Sequence, residues 1–245
     1  RHRRLMQRTT ISGRNEADAP YPEQEKNTMM KIWGRKDGSN VIKVLWCLGE
    51  IGVEYERIDW GGKFGGNDDP DYRAKNPNGR LPTLELDDGY TLWESGAVTR
   101  YLCAEYSLGN LCPSDNRARA AADKWMDWCS LNLASFNRVF LENYFTLPPE
   151  QRDQAAIDAA VVAAIPMYDI LEKQLADRPY LCGDTMTMAE IPAGSLTHRW
   201  LHWLPDPPSH PNVKAWYDRL AARPAFQTHV IDANEPRTKA LPWRN

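Results

Sequence analysis

Residues 79–95 contain the most informative local pattern in the chain, Gly79-Arg80-Leu81-Pro82-Thr83-Leu84-Glu85-Leu86-Asp87-Asp88-Gly89-Tyr90-Thr91-Leu92-Trp93-Glu94-Ser95. Residues 83–86 and 90–93 have the composition of two short strands, and the Asp-Gly pair between them favours a tight turn. An antiparallel hairpin is therefore predicted here. A proline at position 82 fits the first residues of a strand, where it removes no ladder hydrogen bond.

The segments on either side of this hairpin complete an α/β domain. Lys31-Ile32-Trp33 alternates like a strand, Val41, Val44, Leu45 and Leu48 have helical spacing, and Tyr55 to Asp59 resembles a second strand. After the hairpin, a helix is predicted from about Ser95. The order βαβ followed by ββα predicts a compact four-stranded α/β unit over residues 29–107.

Helices dominate the second half of the chain. Residues 108–115 have the Gly, Pro and Ser content of a linker, and residues 116–232 predict an all-helical domain. Within it, Thr187-Met188-Ala189-Glu190 has the Thr-x-x-Glu form of a capping box at a helix start. Residues 233–245 contain two prolines and predict a tail that lies over the surface or is mobile.

Residues 1–28 differ in composition from the rest. Five arginines precede the first acidic residue, prolines and acids follow, and no apolar periodicity is present. We expect a disordered N-terminal extension.

The overall composition limits the classes of function. The chain has 245 residues, of which 42% are hydrophobic, and a net charge of −3, so neither nucleic acid nor an anionic membrane is expected as a partner. The longest apolar run, Ala159 to Met167, is interrupted by Pro166 and is shorter than a membrane span. Five widely spaced cysteines without a Cys-x-x-Cys pair predict a reduced, cytoplasmic protein with no metal.

Four motifs together resemble one known family. They are Gly38-Ser39-Asn40-Val41-Ile42-Lys43-Val44, Asn76-Pro77-Asn78-Gly79-Arg80-Leu81-Pro82, Leu92-Trp93-Glu94-Ser95-Gly96-Ala97-Val98-Thr99-Arg100-Tyr101-Leu102 and Gly183-Asp184-Thr185-Met186-Thr187-Met188-Ala189-Glu190. Their order and spacing resemble the soluble glutathione S-transferases, in particular bacterial theta- and nu-like members. The resemblance implies a thioredoxin-like domain with a four-stranded mixed sheet, an all-helical second domain, a homodimer, glutathione as co-substrate and a small electrophilic substrate.

Ser39 and Asn40 are the catalytic candidates at the start of the first helix. A free thiol has a pKa near roughly 8.5, and donors at a helix N-terminus lower it by stabilising the thiolate. The resemblance implies a catalytic serine at Ser39, as in theta-like enzymes, or an asparagine facing the sulfur at Asn40, as in nu-like enzymes. The sequence does not choose between them. Both residue types are also common helix caps, and the two roles are compatible.

The resemblance assigns the rest of the glutathione site to two motifs and to scattered basic residues. It implies that the Leu81–Pro82 bond is cis and turns the backbone of Leu81 toward the cysteinyl residue of glutathione. Ser95 would bind the glutamyl carboxylate at a helix N-terminus, and Glu94 would bind the ammonium group. The basic candidates are Lys63 and Arg80 for the glycyl carboxylate, and Arg35 and Arg138 for the cleft above the sulfur.

The sequence therefore predicts a glutathione transferase that conjugates or dehalogenates a small electrophile. The region between Met30 and Trp46 contains no cysteine, so the reactive sulfur would come from the ligand. Glutathione-dependent disulfide reduction is the second hypothesis. A non-catalytic scaffold that binds glutathione is the third.

Overall fold

The computed structural model describes residues 29–244, so the extension predicted over residues 1–28 lies outside the described residues. The first half contains β1 (Met30–Trp33), α1 (Ser39–Ile51), β2 (Tyr55–Ile58), α2 (Pro70–Lys75), β3 (Thr83–Glu85), β4 (Thr91–Trp93) and α3 (Ser95–Tyr106). The second half contains α4 (Asn116–Trp128), α5 (Ala134–Phe145), α6 (Gln154–Gln174), α7 (Glu190–Trp203), α8 (Pro211–Ala221), the single turn α9 (Pro224–Phe226) and α10 (Asp232–Lys239).

The four strands form one mixed sheet in the order β2-β1-β3-β4. Strand β1 is parallel to β2 and antiparallel to β3, and β3 is antiparallel to β4. The register aligns Trp33 with Thr83, and Thr83 with Trp93. Because these residues end β1, begin β3 and end β4, the loop before α1, the Leu81–Pro82 segment and the Glu94–Ser95 corner all leave the same edge of the sheet. The predicted α/β unit and its hairpin are confirmed.

Helix α1 lies at the centre of the molecule, and its middle is buried. Residues 41–48 are buried without interruption, and α1 packs against α3 on one side and α7 on the other. The ring of Trp46 packs edge to face against the ring of Phe226, with 4.7 Å between the ring centroids. The helix that begins at the candidate site is therefore fixed by the cores of both halves.

Helices fill the second half as the sequence predicts. Residues 116–145 form α4 and α5 joined by a π-helical turn, Cys129–Leu133. A second π-helical turn, Gln227–Ile231, leads into α10. The guanidinium of Arg100 on α3 bonds Asp123 and Asp127 of α4, which ties the two halves together at a distance from α1.

The segment after residue 232, predicted as a tail that lies over the surface or is mobile, contains a helix that the sequence pattern does not indicate. Residues 232–239 form helix α10, in which Asn234 is fully buried, and Leu241 beyond it is also buried. The helix has almost no apolar face, and its attachment depends on polar contacts: Arg237 donates to the carbonyl of Asp37, and Arg199 donates to Asn234. Apolar periodicity gives no signal for a helix held in this way.

Helix α6 is more apolar than the interrupted run in the sequence suggests. Gln154–Gln174 has a mean hydropathy of 1.4 over an 18-residue window, which by length and composition is enough to cross a membrane. A helix in the core of a water-soluble domain passes the same test, and α6 packs against α5 and α8 along its buried residues Ile157, Ala164, Tyr168 and Leu171. Its composition therefore carries little weight by itself.

Gly194 is required where α7 meets α1. A Cβ at this position would lie 2.7 Å from Cδ1 of Leu220 and 2.9 Å from the ring of Trp46. We expect Gly194→Ala to lower the free energy of unfolding by about 2 kcal/mol, because neither neighbour has room to move in a packed core. Urea denaturation measures this. Gly96→Ala on α3, where the closest atom is the end of the Arg100 side chain at 3.4 Å, is the control; an equal loss in both variants would contradict the packing argument.

Candidate active site

The first turn of α1 presents Ser39 and Asn40 to a cleft. The helix N-cap is Gly38, whose backbone is extended and which has no side chain to cap with. Ser39 and Asn40 therefore occupy the first two helical positions and are not side-chain caps of this helix. Both line a cavity of about 600 Å³ together with Arg80 and with Arg138 of α5. Two predicted catalytic residues and two predicted basic residues thus meet around one cleft.

A buried arginine from the second half of the chain holds Ser39. Nη1 of Arg199, on α7, donates to Oγ of Ser39 at 2.6 Å and to Oδ1 of Asn137 at 2.6 Å. Its Nε donates to Oδ1 of Asn234 at 2.9 Å. Arg199 is 2% exposed. The hydroxyl of Ser39 is therefore a fixed group that accepts a charge-assisted hydrogen bond.

A buried lysine holds Asn40 in a similar way. Nζ of Lys43, one helical turn further along α1, donates to Oδ1 of Asn40 at 3.0 Å. Because the carboxamide oxygen faces the lysine, the Nδ2 group is the end of Asn40 that remains to donate to a ligand. Desolvation lowers the pKa of Lys43 to about 8, which still leaves most of the amines charged at neutral pH.

Three polar side chains hold the backbone on which the Leu81–Pro82 bond lies, and this bond is cis, as the resemblance implies. The carbonyl oxygen of Arg80 accepts from the hydroxyl of Tyr72 at 2.6 Å and from Nδ2 of Asn76 at 2.8 Å. Both side chains also contact Oγ1 of Thr83, the first residue of β3. Asn76, which the sequence indicates only as part of a motif, is a structural support of the site.

The corner between β4 and α3 has an unusual backbone. Glu94 has a φ of 70°, and it is the one described non-glycine residue, within 29–244, with positive φ. Side chains rarely adopt this conformation, and such strained residues cluster at functional sites. Glu94 is exposed, whereas Ser95, the first residue of α3, is 8% exposed. The corner therefore presents a carboxylate beside the amides of a helix N-terminus.

Arg35 and Lys63 lie elsewhere. They line a second cavity, of about 470 Å³, between the loop after β1, the segment after β2 and helix α10. Arg35 pairs with Asp37 and lies against Gly62, where a Cβ would come within 3.0 Å of its Nε. The ammonium of Lys63 lies over the ring of Phe64. The structure does not bring these two residues to the cavity that contains Ser39.

Comparison with known proteins identifies the fold family. The family model for the glutathione S-transferase N-terminal domain matches residues 28–104, and the one for the C-terminal domain matches residues 137–224. The chain belongs to the glutathione S-transferase family.

Named relatives of this transferase come from bacteria and plants. It is 38% identical over 208 residues to glutathione S-transferase GstB of Escherichia coli, a match that covers 83% of this chain and 98% of the relative. Glutathione S-transferase 3 of Zea mays is 32% identical over 211 residues, covering 82% and 93%. The crystal structure of a theta class glutathione S-transferase from Xanthomonas axonopodis pv. citri, with glutathione bound, has a TM-score of 0.78 and 43% identity, covering 82% and 97%.

Two buried cations that hold the cleft residues of this transferase, Lys43 and Arg199, were not predicted from the sequence. Arg199 is followed by Trp200 and lies one turn before Trp203 in a helix whose residues 190–200 are all buried. A charged residue on a buried apolar helix was the available signal, because such a charge is rarely buried without partners. Its partners Asn137 and Asn234 are far away in the chain, so no local pattern indicates them.

Metal ligands were not expected in this transferase. Over residues 29–244, no group of three or more His, Cys, Asp or Glu side chains is arranged to hold a metal ion. All five cysteines are free thiols, and Sγ of Cys47 on α1 lies 3.5 Å from Sγ of Cys103 on α3 in the core. The hydrogen bond with the Cys103 thiol, together with burial, raises the pKa of Cys47, which makes it a poor nucleophile.

Proposed function

We propose that this protein binds glutathione in the cleft at the start of α1, stabilises its thiolate and transfers it to a small electrophilic molecule. The observation that carries this is the pair of donors, Ser39 and Asn40, in the first turn of a helix and each backed by a buried cation. A helix N-terminus and hydrogen-bond donors both favour a thiolate over a thiol. Because the sulfur of glutathione is the nucleophile of the proposed reaction, the protein does not need to supply one.

The proposed orientation of glutathione follows from the end of the sheet at which the loop before α1, the Leu81–Pro82 segment and the Glu94–Ser95 corner lie together. Its cysteinyl residue would lie along the backbone of Leu81 beside Pro82, with the sulfur at Ser39. Its glutamyl end would meet Glu94 and Ser95, where the strained corner and the α3 N-terminus can accept an ammonium and a carboxylate. Arg80 lines the cleft with Ser39, so we assign it, ahead of Lys63 and Arg35, to the glycyl carboxylate.

The second substrate would bind between the two halves of the chain. Beyond Ser39, the cavity is lined by residues of α5 and of the turn before it, including Leu131, Leu141 and Arg138. Leu131 is 80% exposed, which provides an apolar surface for an electrophile. Arg138 is exposed at this rim and would attract substrates with a negative charge, such as haloacids.

Calorimetry and two turnover assays test the proposal. We expect glutathione to bind with measurable heat, and a haloaromatic or haloacid substrate to be turned over faster than hydroxyethyl disulfide. The reverse order would favour glutathione-dependent disulfide reduction. Binding without turnover of either substrate would favour a scaffold, and no binding to the folded protein would refute the proposal as a whole.

Ser95→Ala is expected to weaken glutathione binding by about tenfold or more, because a hydrogen bond to a charged carboxylate contributes about 1.5–3 kcal/mol. Isothermal titration calorimetry measures the change in Kd. Ser114→Ala, an exposed serine of the linker, is the control and should bind as the wild type does. Unchanged affinity in Ser95→Ala would place the glutamyl carboxylate elsewhere.

We also propose a cytoplasmic homodimer. The free thiols fit a reducing compartment. Strand β4 is an edge of the sheet, and Tyr90 and Trp93 at this edge are 49% and 37% exposed. Exposed aromatic residues on an edge favour association with a second copy. Light scattering of the purified protein should give about twice the mass of the chain, and a monomer mass would refute this.

A further inference from the structure

Arg199 connects three helices to the candidate thiolate donor. Its guanidinium reaches Ser39 on α1, Asn137 on α5 and Asn234 on α10, and its buried Nη2 has no hydrogen-bond partner among residues 29–244. Cζ of Arg199 lies over the ring of Trp203, 4.7 Å from the ring centroid. A purely structural arginine in a core would be expected to pair with a carboxylate. Within residues 29–244, its hydrogen-bond partners are instead a hydroxyl and two amide oxygens.

The direction of this hydrogen bond determines what Ser39 can do. A guanidinium donates and never accepts, so the bond to Arg199 occupies a lone pair of Oγ and leaves the hydroxyl proton directed elsewhere. Ser39 lines the cavity, so that proton is available to a ligand there. A hydroxyl that accepts from a cation is also a stronger donor, because the bond polarises it. The contact thus favours the donor state that a thiolate needs.

The positive charge of Arg199 also contributes to the electrostatic potential at Ser39. Burial lowers the pKa of Arg199 to about 9, so the guanidinium remains charged at neutral pH. The charged groups around it are Arg237 on α10, and Arg35 and Asp37 in the loop before α1, with Lys43 on α1 behind Asn40 and Glu94 acting on Lys43. With Arg199 itself counted, four cations face two acids, so the local field favours an anion at Ser39.

We propose that Arg199 is a positioning residue of the transferase reaction, which fixes Ser39 as a hydrogen-bond donor and adds positive potential where the glutathione thiolate forms. This inference rests on the proposed function. In this view the helical half of the chain affects the glutathione thiolate itself, whichever electrophile is bound.

Arg199→Met is the first test. We expect the pKa of enzyme-bound glutathione, followed by ultraviolet absorbance of the thiolate, to rise by about one, and kcat/KM to fall about tenfold near neutral pH. Binding of S-methylglutathione, which has no thiol to ionise, should stay within about threefold of the wild type. A variant that is merely misfolded would lose affinity for both. Arg100→Met, which removes another arginine that joins the two halves, should leave the thiol pKa unchanged.

Two further variants keep the proposal falsifiable if Arg199→Met does not fold. Arg199→Lys retains the charge and should raise the thiol pKa by less than about 0.5 relative to the wild type, and a rise of about one or more would count against the charge. In a Ser39→Ala background, Arg199→Lys should change the thiol pKa by less than half as much as in the wild type. An equal change in both backgrounds would show that Arg199 does not act through Ser39.

The outcomes separate this inference from the proposed function. A wild-type protein that binds no glutathione, or binds it with an ordinary thiol pKa, overturns both. A wild-type protein that depresses the thiol pKa, together with a folded Arg199→Met variant that depresses it equally, overturns the role of Arg199 alone.

Discussion

Replacing Ser39 by alanine is expected to lower kcat/KM for conjugation by about 100-fold near neutral pH, since removal of one preorganised donor to a developing anion typically costs this much. Ser39 is partly buried and its acceptor side is occupied by Arg199. Its donor therefore needs no reorganisation when the thiolate forms. Asn40 is exposed, and among residues 29–244 its side chain is held by one hydrogen bond, from Lys43, so Asn40→Ala should cost about tenfold.

Steady-state kinetics and the pKa of bound glutathione check this order. The thiol pKa should rise more in Ser39→Ala than in Asn40→Ala, and most in the double variant. Ser135→Ala provides a matched control, because its hydroxyl also lines the cavity but donates to the carbonyl of Asn132 within its own helical segment. If Asn40→Ala proves the more damaging, the sulfur lies at the amide, and if both variants retain full rates, the proposed thiolate site is refuted.

Local patterns were sufficient for most of the fold because most of its elements have strong local signals. The hairpin was predictable from its Asp88-Gly89 turn, and α1 from the spacing of Val41, Val44 and Leu48. Helix α10 was not predictable, since it is held by Arg199 and Arg237 and has no apolar face. Such contacts join residues that are up to 200 positions apart in the chain. A sequence read locally contains no trace of them.

The site divides in the same way. Ser39, Asn40 and Arg80 could be proposed from motifs and Arg138 from the family resemblance, and the fold brings all four around one cleft. Arg35 and Lys63 were chosen as basic residues near the motifs, but proximity in the chain does not fix the side of a loop on which a residue lies, and both line another cavity. Lys43 and Arg199 were missed because a buried cation becomes interpretable only when its partners are known.

Glu190 gives the largest expected effect on stability. Its carboxylate is fully buried; one oxygen accepts from the amide of Leu181 at 2.7 Å, and the other accepts from the amide of Thr187 at 2.8 Å. The Thr-x-x-Glu sequence predicted the second of these bonds. Glu190→Ala leaves two buried amides without partners, each costing about 1–3 kcal/mol, so we expect the free energy of unfolding to fall by about 3 kcal/mol near neutral pH. Urea denaturation measures it, and the exposed Glu235→Ala should cost less than about 0.5 kcal/mol.

The same carboxyl group predicts how stability depends on pH. Desolvation raises the pKa of Glu190 in the folded protein to about 7, from an ordinary value of 4.5. The folded state therefore binds this proton more tightly than the unfolded state does, and the stabilisation is complete below the unfolded pKa and lost as the pH rises through the folded one. When complete, this contribution of Glu190 to the free energy of unfolding is about 3 kcal/mol. Glu190→Gln cannot titrate, so the unfolding free energy of the wild type should fall relative to Glu190→Gln between about pH 5 and pH 8. Parallel curves would mean that the two amides keep Glu190 ionised throughout, which would make the charged carboxylate, rather than the neutral acid, the group that anchors the start of α7.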